Sequence, residues 1–277
     1  MKRFNRIAAM MNYLLEHPRT QVNLEYFVKK YDVSKATASD DLNVVDSTFQ
    51  EEGLGKLRRV IGPSGGIQYI PELSAEKSLE YVESLCSNLS DPTRILPGGY
   101  LYMTDILGDP FCVRKIGQII ASVFADKQID VVMTVETKGI PIAYAVASFL
   151  NVPVIIVRRD PKVTEGSSVS INYVSGSSRK IQTMVMTKRS LRENMRVCIV
   201  DDFMKAGGTI NGMISLVEEF EAETAAIAVL AEADDEEEDR VIENYTSLIK
   251  ISNVDIRHKK INVQPGNFLT DKKLSLE

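Results

Sequence analysis

Apolar residues fall on helical stripes through the first fifty positions and then change to the continuous runs of buried strands. Ile7, Met10, Met11, Leu14 and Leu15 recur at three- and four-residue intervals, one face of an amphipathic helix that Pro18 stops. A second stripe runs Leu24, Phe27, Val28, Tyr31. After a break at Asp32-Val33, Ser34 stands where a helix cap is wanted, ahead of a third stripe at Ala38, Leu42, Val45 and Phe49. Two strand-like runs follow, Lys56 to Ile61 and Ile67 to Ile70, on either side of a Gly-Pro-Ser-Gly-Gly turn. Ser74 then caps a helix carrying Leu79, Val82, Leu85, Cys86 and Leu89, proline and glycine interrupt the pattern, and a helix is predicted from Phe111 to Phe124. Beyond it strand and helix alternate: VVMTVE, a helix over 140–150, VPVIIV, a long polar stretch, VCIVDD, a helix over 209–220, AAIAVLAE and SLIKIS. Apolar strands separated by helices need cover on both faces, which predicts an α/β fold with a largely parallel sheet. At 277 residues the chain exceeds one ordinary domain. The change of pattern divides it into units at 1–73 and 74–277.

The first unit has two short helices joined by a tight turn, the helix-turn-helix plan, and its hairpin directly after the third helix resembles the wing of a winged helix. That resemblance implies DNA binding. Lys35, Ala36, Thr37 and Ser39 at the start of the third helix would face base edges or phosphates in the major groove, with Arg58, Arg59 and the wing tip at Ser64 and Gly65 on the DNA backbone or minor groove. A protein-interaction module is the alternative use of the same shape. Asp40 and Asp41 oppose a phosphate-facing surface unless they lie on the far side or orient a neighbouring arginine.

Composition narrows the classes. Apolar residues are 44% and charged residues 26% of the chain, ordinary for a globular protein. No apolar run approaches the ~18–20 residues of a membrane span, and the basic-then-apolar start lacks a small-residue cleavage site, so a folded helix is expected there and no membrane partner. Three scattered cysteines and two histidines suggest neither a disulfide framework nor metal-ligand spacing, and fit a reducing cytoplasm. The net charge of -5 argues against nucleic acid until it is split: residues 1–70 carry +2 and the remainder -7, so the two units are expected to meet different partners.

The most informative run is Arg196 to Thr209. A buried strand leads into Asp201 and Asp202, and a short loop, Phe203-Met204-Lys205-Ala206, reaches Gly207, Gly208 and Thr209 at a helix start. Glycines let backbone N–H groups converge on an anion where the helix dipole also favours negative charge, and Thr209 adds a hydroxyl. Carboxylates beside a phosphate cradle would repel it unless they hold sugar hydroxyls or a magnesium-bound group. A phosphorylated sugar is the expected ligand.

This Asp-Asp-x-x-x-x-Gly-Gly-Thr run resembles the phosphoribosyl pyrophosphate (PRPP) motif of the type I phosphoribosyltransferases, whose acids bind the ribose hydroxyls and whose glycine loop binds the 5′-phosphate. Lys205-Ala206 departs from the small residue and threonine usual there, so one phosphate-binding hydroxyl is missing. The run Val135-Glu136-Thr137-Lys138-Gly139-Ile140 matches the pyrophosphate loop of that family by position, with Thr137, Lys138 and Gly139 its candidate contacts, and Arg158 and Arg159 match its basic residues after the second strand. Residues 160–190 fall where the family has a flexible catalytic loop, and Tyr102 is a candidate for stacking on a base. The acidic run 234–239 reads as a solvated loop. A winged helix ahead of such a domain resembles the purine operon repressor family of Gram-positive bacteria over essentially the whole chain. The resemblance implies a homodimer that binds operator DNA, represses purine synthesis and transport genes, takes PRPP as inducer and catalyses nothing. Magnesium accompanying PRPP, and guanosine tetraphosphate as a second ligand of the same anion pocket, are further expectations. A working purine phosphoribosyltransferase with an accessory first domain is the competing reading, supported by the intact acid pair and glycine loop.

Overall fold

The computed structural model describes residues 1–60, 62, 65–96, 101–160, 166–174, 181–234, 240–255, 258 and 260–269. In the first unit α1 (Arg3–Glu16), α2 (Leu24–Tyr31) and α3 (Lys35–Glu51) enclose Met10, Leu14, Phe27, Leu42, Val45 and Phe49. Ser34 caps α3 as its position implies: its Oγ accepts the Thr37 amide at 3.1 Å, satisfying a donor that a helix start leaves unpaired. The antiparallel hairpin of β2 (Gly55–Val60) and β3 (Gly66–Pro71) forms the wing. β1 (Gln21–Val22), too short to be read from alternation, pairs with the other edge of β3.

One stripe is rotated. Leu15, expected on the buried face of α1, is 40% exposed, and Arg6 is buried instead. The cause lies on α3, where the buried Asp41 accepts a hydrogen bond from Arg6 Nε at 2.5 Å and another from Arg3 Nε at 3.0 Å. A buried charge is tolerated when it is paired. Asp41 therefore orients arginines, while Asp40 stays at the surface.

The second unit is a six-stranded sheet in the order β11-β10-β9-β8-β4-β5. β4 (Val131–Val135), β5 (Val154–Val157), β8 (Arg196–Met204), β9 (Glu223–Asp234) and β10 (Thr246–Asp255) are parallel, and β11 (Lys260–Pro265) closes one edge antiparallel. α4 (Ala75–Leu89), α5 (Thr104–Gly108), α6 (Pro110–Val123) and α7 (Gly139–Leu150) cover one face. The other is covered by α8 (Gly208–Glu219) and an antiparallel hairpin of β6 (Ser168–Val174) and β7 (Ile181–Thr187). That hairpin occupies the polar stretch expected to be loop. Its buried side is short, chiefly Tyr173, Met184 and Met186, and Tyr173 sits over Gly212 of α8, where a Cβ would stand 3.0 Å from its ring. Among the described residues no helix is long and apolar enough to cross a membrane.

Polar contacts join the units. Arg19 donates from Nη2 to the carbonyls of Phe124 and Ala125, each at 3.1 Å, covering the negative end of the α6 dipole. Arg58 pairs with Asp126 at 2.8 Å. Asn151, the αL residue capping α7, donates from Nδ2 to Thr20 Oγ1 at 2.9 Å.

Candidate functional site

The carboxyl ends of β8 and β4 meet at the acid pair. Asp201 is buried, and its Oδ1 accepts the Asp202 amide at 2.9 Å. Burial, then the charge of Asp202, pushes the Asp201 carboxyl well above the ordinary carboxylate range, with Arg159 pulling the other way. Burial raises Asp202 too, opposed by Lys138. Two acids held together out of water are disfavoured as a charged pair. A ligand that donates hydroxyls to them, or a cation, relieves that cost.

β8 does not stop at the acids. It pairs with β9 as far as Met204 opposite Glu232, so Phe203 and Met204 are strand residues, not members of the anion loop. Met204 is buried in the core under α8, and Phe203 packs on the opposite one. The loop proper is Lys205, Ala206 and Gly207. Gly207 has φ of +84°, a conformation that side chains rarely adopt, and it precedes α8, which opens on Gly208 and Thr209. The first amides of α8 have no partner within the helix and are available to an anion.

Thr137 and Lys138 are exposed on the β4–α7 turn, and Gly139 beneath them is buried. A Cβ on Gly139 would lie 2.4 Å from Thr134 Oγ1 and 3.0 Å from Asp201 Oδ1, so only glycine lets this turn come so close to the acid pair. Thr134 Oγ1 is itself buried without a hydrogen-bond partner, and the Glu136–Thr137 peptide bond is cis. Glu136 joins the neighbouring strand: it accepts the Arg159 amide at 2.8 Å and pairs with Arg158 Nη1 at 3.3 Å. Arg158 also exchanges backbone hydrogen bonds with Val185 of β7, which anchors the hairpin to β5. The structure thus brings Asp201, Asp202, Lys138, Gly139, Arg159 and the Gly207–Thr209 turn to the carboxyl end of a parallel sheet, the usual place for a ligand crevice. Arg158 serves the framework of that end. Tyr102 is exposed ahead of α5, and its backbone groups bond to Arg94, not to the anion loop. Thr134 went unread in the sequence, and Glu136, inside the run matched to the pyrophosphate loop, was given no role of its own, although VVMTVE ends on an acid much as VCIVDD does.

On the first unit Lys35 and Ala36 are exposed at the start of α3, with Thr37 and Ser39 half-buried beside them. Lys35 pairs with Glu25 at 2.5 Å, both at the surface, and Arg59 donates to Asn43 of α3 at 2.5 Å, so β2 and α3 share one face. Arg58 does not share it. Successive strand residues point to opposite sides, and Arg58 is turned to Asp126 of the second unit rather than outward to a nucleic acid. Ser64 lies outside the described residues. Gly65 donates its amide to Gly62 O at 2.8 Å in the wing tip.

Residues 2–71 match the family described as bacterial purine repressor, N-terminal, and residues 103–266 match the phosphoribosyl transferase domain. Over 268 residues the chain is 53% identical to the purine biosynthesis transcriptional repressor of Bacillus subtilis (strain 168), which covers 97% of this chain and 94% of that one. The chain belongs to the bacterial purine repressor family. The purine biosynthesis transcriptional activator of Lactococcus lactis subsp. lactis (strain IL1403) is 47% identical over 272 residues, covering 98% of this chain and all of its own. These two relatives, each matching nearly the whole chain, are thus named as regulators of purine biosynthesis of opposite sign. For the second unit the fold is shared with adenine phosphoribosyltransferase of Thermoanaerobacter pseudethanolicus, at a TM-score of 0.51 and 22% identity, over 60% of this chain and 99% of that one.

Proposed function

We propose that this member of the family is a repressor of purine genes that binds operator DNA through α3 and the wing and releases it when PRPP occupies the second unit. The observation that carries the effector half is the buried pair Asp201–Asp202 facing the Gly139 turn and the Gly207–Thr209 helix start. In this reading the acids accept the ribose hydroxyls, which suits groups whose charged forms burial disfavours. The amides at the start of α8 and Thr209 take the 5′-phosphate, and Lys138 and Arg159 face the pyrophosphate. Magnesium enters as a companion of that pyrophosphate. The domain binds without transferring: Ala206 lacks the hydroxyl usual in the enzymes, and both full-length relatives described above are named as regulators.

The test is a gel-shift of purine-gene promoter DNA with and without PRPP and magnesium, paired with transcription from the same promoter. Loss of the complex on adding PRPP, with transcription rising, is expected. Transcription that falls when the protein leaves the promoter assigns it the activating sign of the Lactococcus relative. Steady pyrophosphate release from PRPP with any purine base overturns the non-catalytic reading. Guanosine tetraphosphate presents paired phosphates of the same kind, and calorimetry in which it fails to compete with PRPP removes it as a second ligand.

A further inference from the structure

The anion loop is held from outside its own motif. Glu232 lies at the carboxyl end of β9, in register with Met204, the last residue of β8 before the loop. It is 4% exposed and its carboxylate is surrounded by donors: Ser247 Oγ at 2.6 Å, Arg240 Nη1 at 2.5 Å and the hydroxyl of Tyr245. Arg240 also donates to Ala233 O at 2.8 Å. From Arg240 the chain runs directly against the loop. The Val241 amide donates to Ala206 O at 3.1 Å, and Ile242 lies so close to Gly207 that a Cβ there would stand 3.0 Å from its Cγ1.

These contacts form a chain of support. A buried carboxylate requires compensating donors, and Arg240 supplies one. Fixing Arg240 fixes the next two residues, which set the carbonyl of Ala206 and the left-handed turn at Gly207. That turn aims the first amides of α8.

We propose that Arg240 and Glu232 are positioning residues for effector binding, acting through Val241 and Ile242 on the 205–207 loop without touching the ligand. The inference rests on the reading of that loop as the phosphate site. It predicts that Arg240→Ala and Glu232→Gln each weaken PRPP binding by about tenfold, the low end of what loss of an outer supporting contact costs a bound ion. Because both act through one contact, the double variant is expected to be no weaker than either single one.

The experiment is calorimetric titration of the full chain with PRPP and magnesium at two salt concentrations, alongside a gel-shift of the unliganded protein on operator DNA. Expected are weaker PRPP binding in Arg240→Ala, partial recovery in Arg240→Lys, unchanged operator affinity, a second-unit unfolding transition retained in each variant as the control for folding, and a salt dependence of PRPP binding equal to that of the parent. Wild-type PRPP affinity in Arg240→Ala overturns the proposal, as do additive losses in the double variant or a flattened salt dependence, which would make Arg240 a direct phosphate contact. A parent protein that gives no PRPP binding at all sinks the underlying reading of the loop as well.

Discussion

Replacing Asp41 by alanine tests whether a buried ion pair, and not the apolar stripe alone, sets the angle between α1 and α3. In the parent the Asp41 side chain is 1% exposed and that of Arg6 8%, with Nε of Arg6 at 2.5 Å. Removing the acid leaves the Arg6 guanidinium buried without its carboxylate, a loss of about 3–5 kcal/mol for breaking one side of such a pair. Arg3, with 58% of its side chain exposed, can turn to water and adds little. Against domain stabilities of about 5–15 kcal/mol, this is enough to populate an unfolded first unit. Urea unfolding followed by far-ultraviolet dichroism should separate the first unit's transition from that of the second, and operator binding should fall with it. The double change Arg6→Met with Asp41→Leu should recover most of the loss, because apolar residues of similar size fill the space without leaving a charge behind. An Asp41→Ala variant that loses less than about 1 kcal/mol, or a double variant as weak as the single one, would show that the pair does not hold the helices.

Other outcomes follow from the site and the DNA face. Asp201→Asn should abolish PRPP-driven release while stabilising the free protein, and increasingly so as pH rises. Burial raises the Asp201 carboxyl above its unfolded value of 3.8, so the folded state binds that proton more tightly and wild-type stability falls as pH rises above 3.8, whereas an asparagine does not titrate; thermal melts giving the same Asn-minus-Asp difference at pH 5 and pH 8 would contradict this. Gly139→Ala, which sets a methyl group 2.4 Å from Thr134 Oγ1, should cost PRPP affinity more than operator affinity, measured by calorimetry and gel-shift. Lys35→Ala and Arg59→Ala should each flatten the salt dependence of operator binding by about one in slope, and Arg58→Ala should leave it unchanged because Arg58 points to the opposite side of β2 from Arg59, towards Asp126 of the second unit.

Helices were legible wherever one face is apolar and a cap residue marks the start, as at Ser34 and Ser74, whose side chains accept the Thr37 and Lys77 amides. The parallel strands were legible because burial on both faces makes them continuous apolar runs. Elements that bury only a few side chains escaped: β6 alternates apolar with serine and asparagine and buries Tyr173 alone, the apolar run of β7 is only Met184-Val185-Met186, and β11 has no buried residue. Of the site, the acid pair and the glycines were readable because their chemistry is local to a dozen residues. Reading Phe203 and Met204 as loop failed because strand pairing with β9, a non-local fact, carries β8 past the acids. Arg58 looked like a DNA contact for the same reason: a charge next to a wing is ambiguous until the second unit is placed beside it.

The placement of Arg19 decides between two routes from effector to DNA. The candidate pyrophosphate turn ends where α7 begins, and α7, about 18 Å long for its 12 residues, ends at Asn151 against Thr20. α6 lies alongside, with Gly117 so close that a Cβ would stand 2.5 Å from Ala145 of α7, and its final carbonyls are held by Arg19. These contacts form one continuous packed path from the turn through two helices to the loop that precedes β1, along which a displacement of the turn would reach the first unit. If PRPP works by this route, Arg19→Ala should leave unliganded operator affinity and PRPP affinity intact, while the PRPP-induced loss of operator affinity shrinks from a range of about 5- to 150-fold towards none. If PRPP and DNA instead compete for one positive surface, the same variant will release DNA as readily as the parent. A gel-shift titrated with PRPP, set beside calorimetry of the same samples, distinguishes the two.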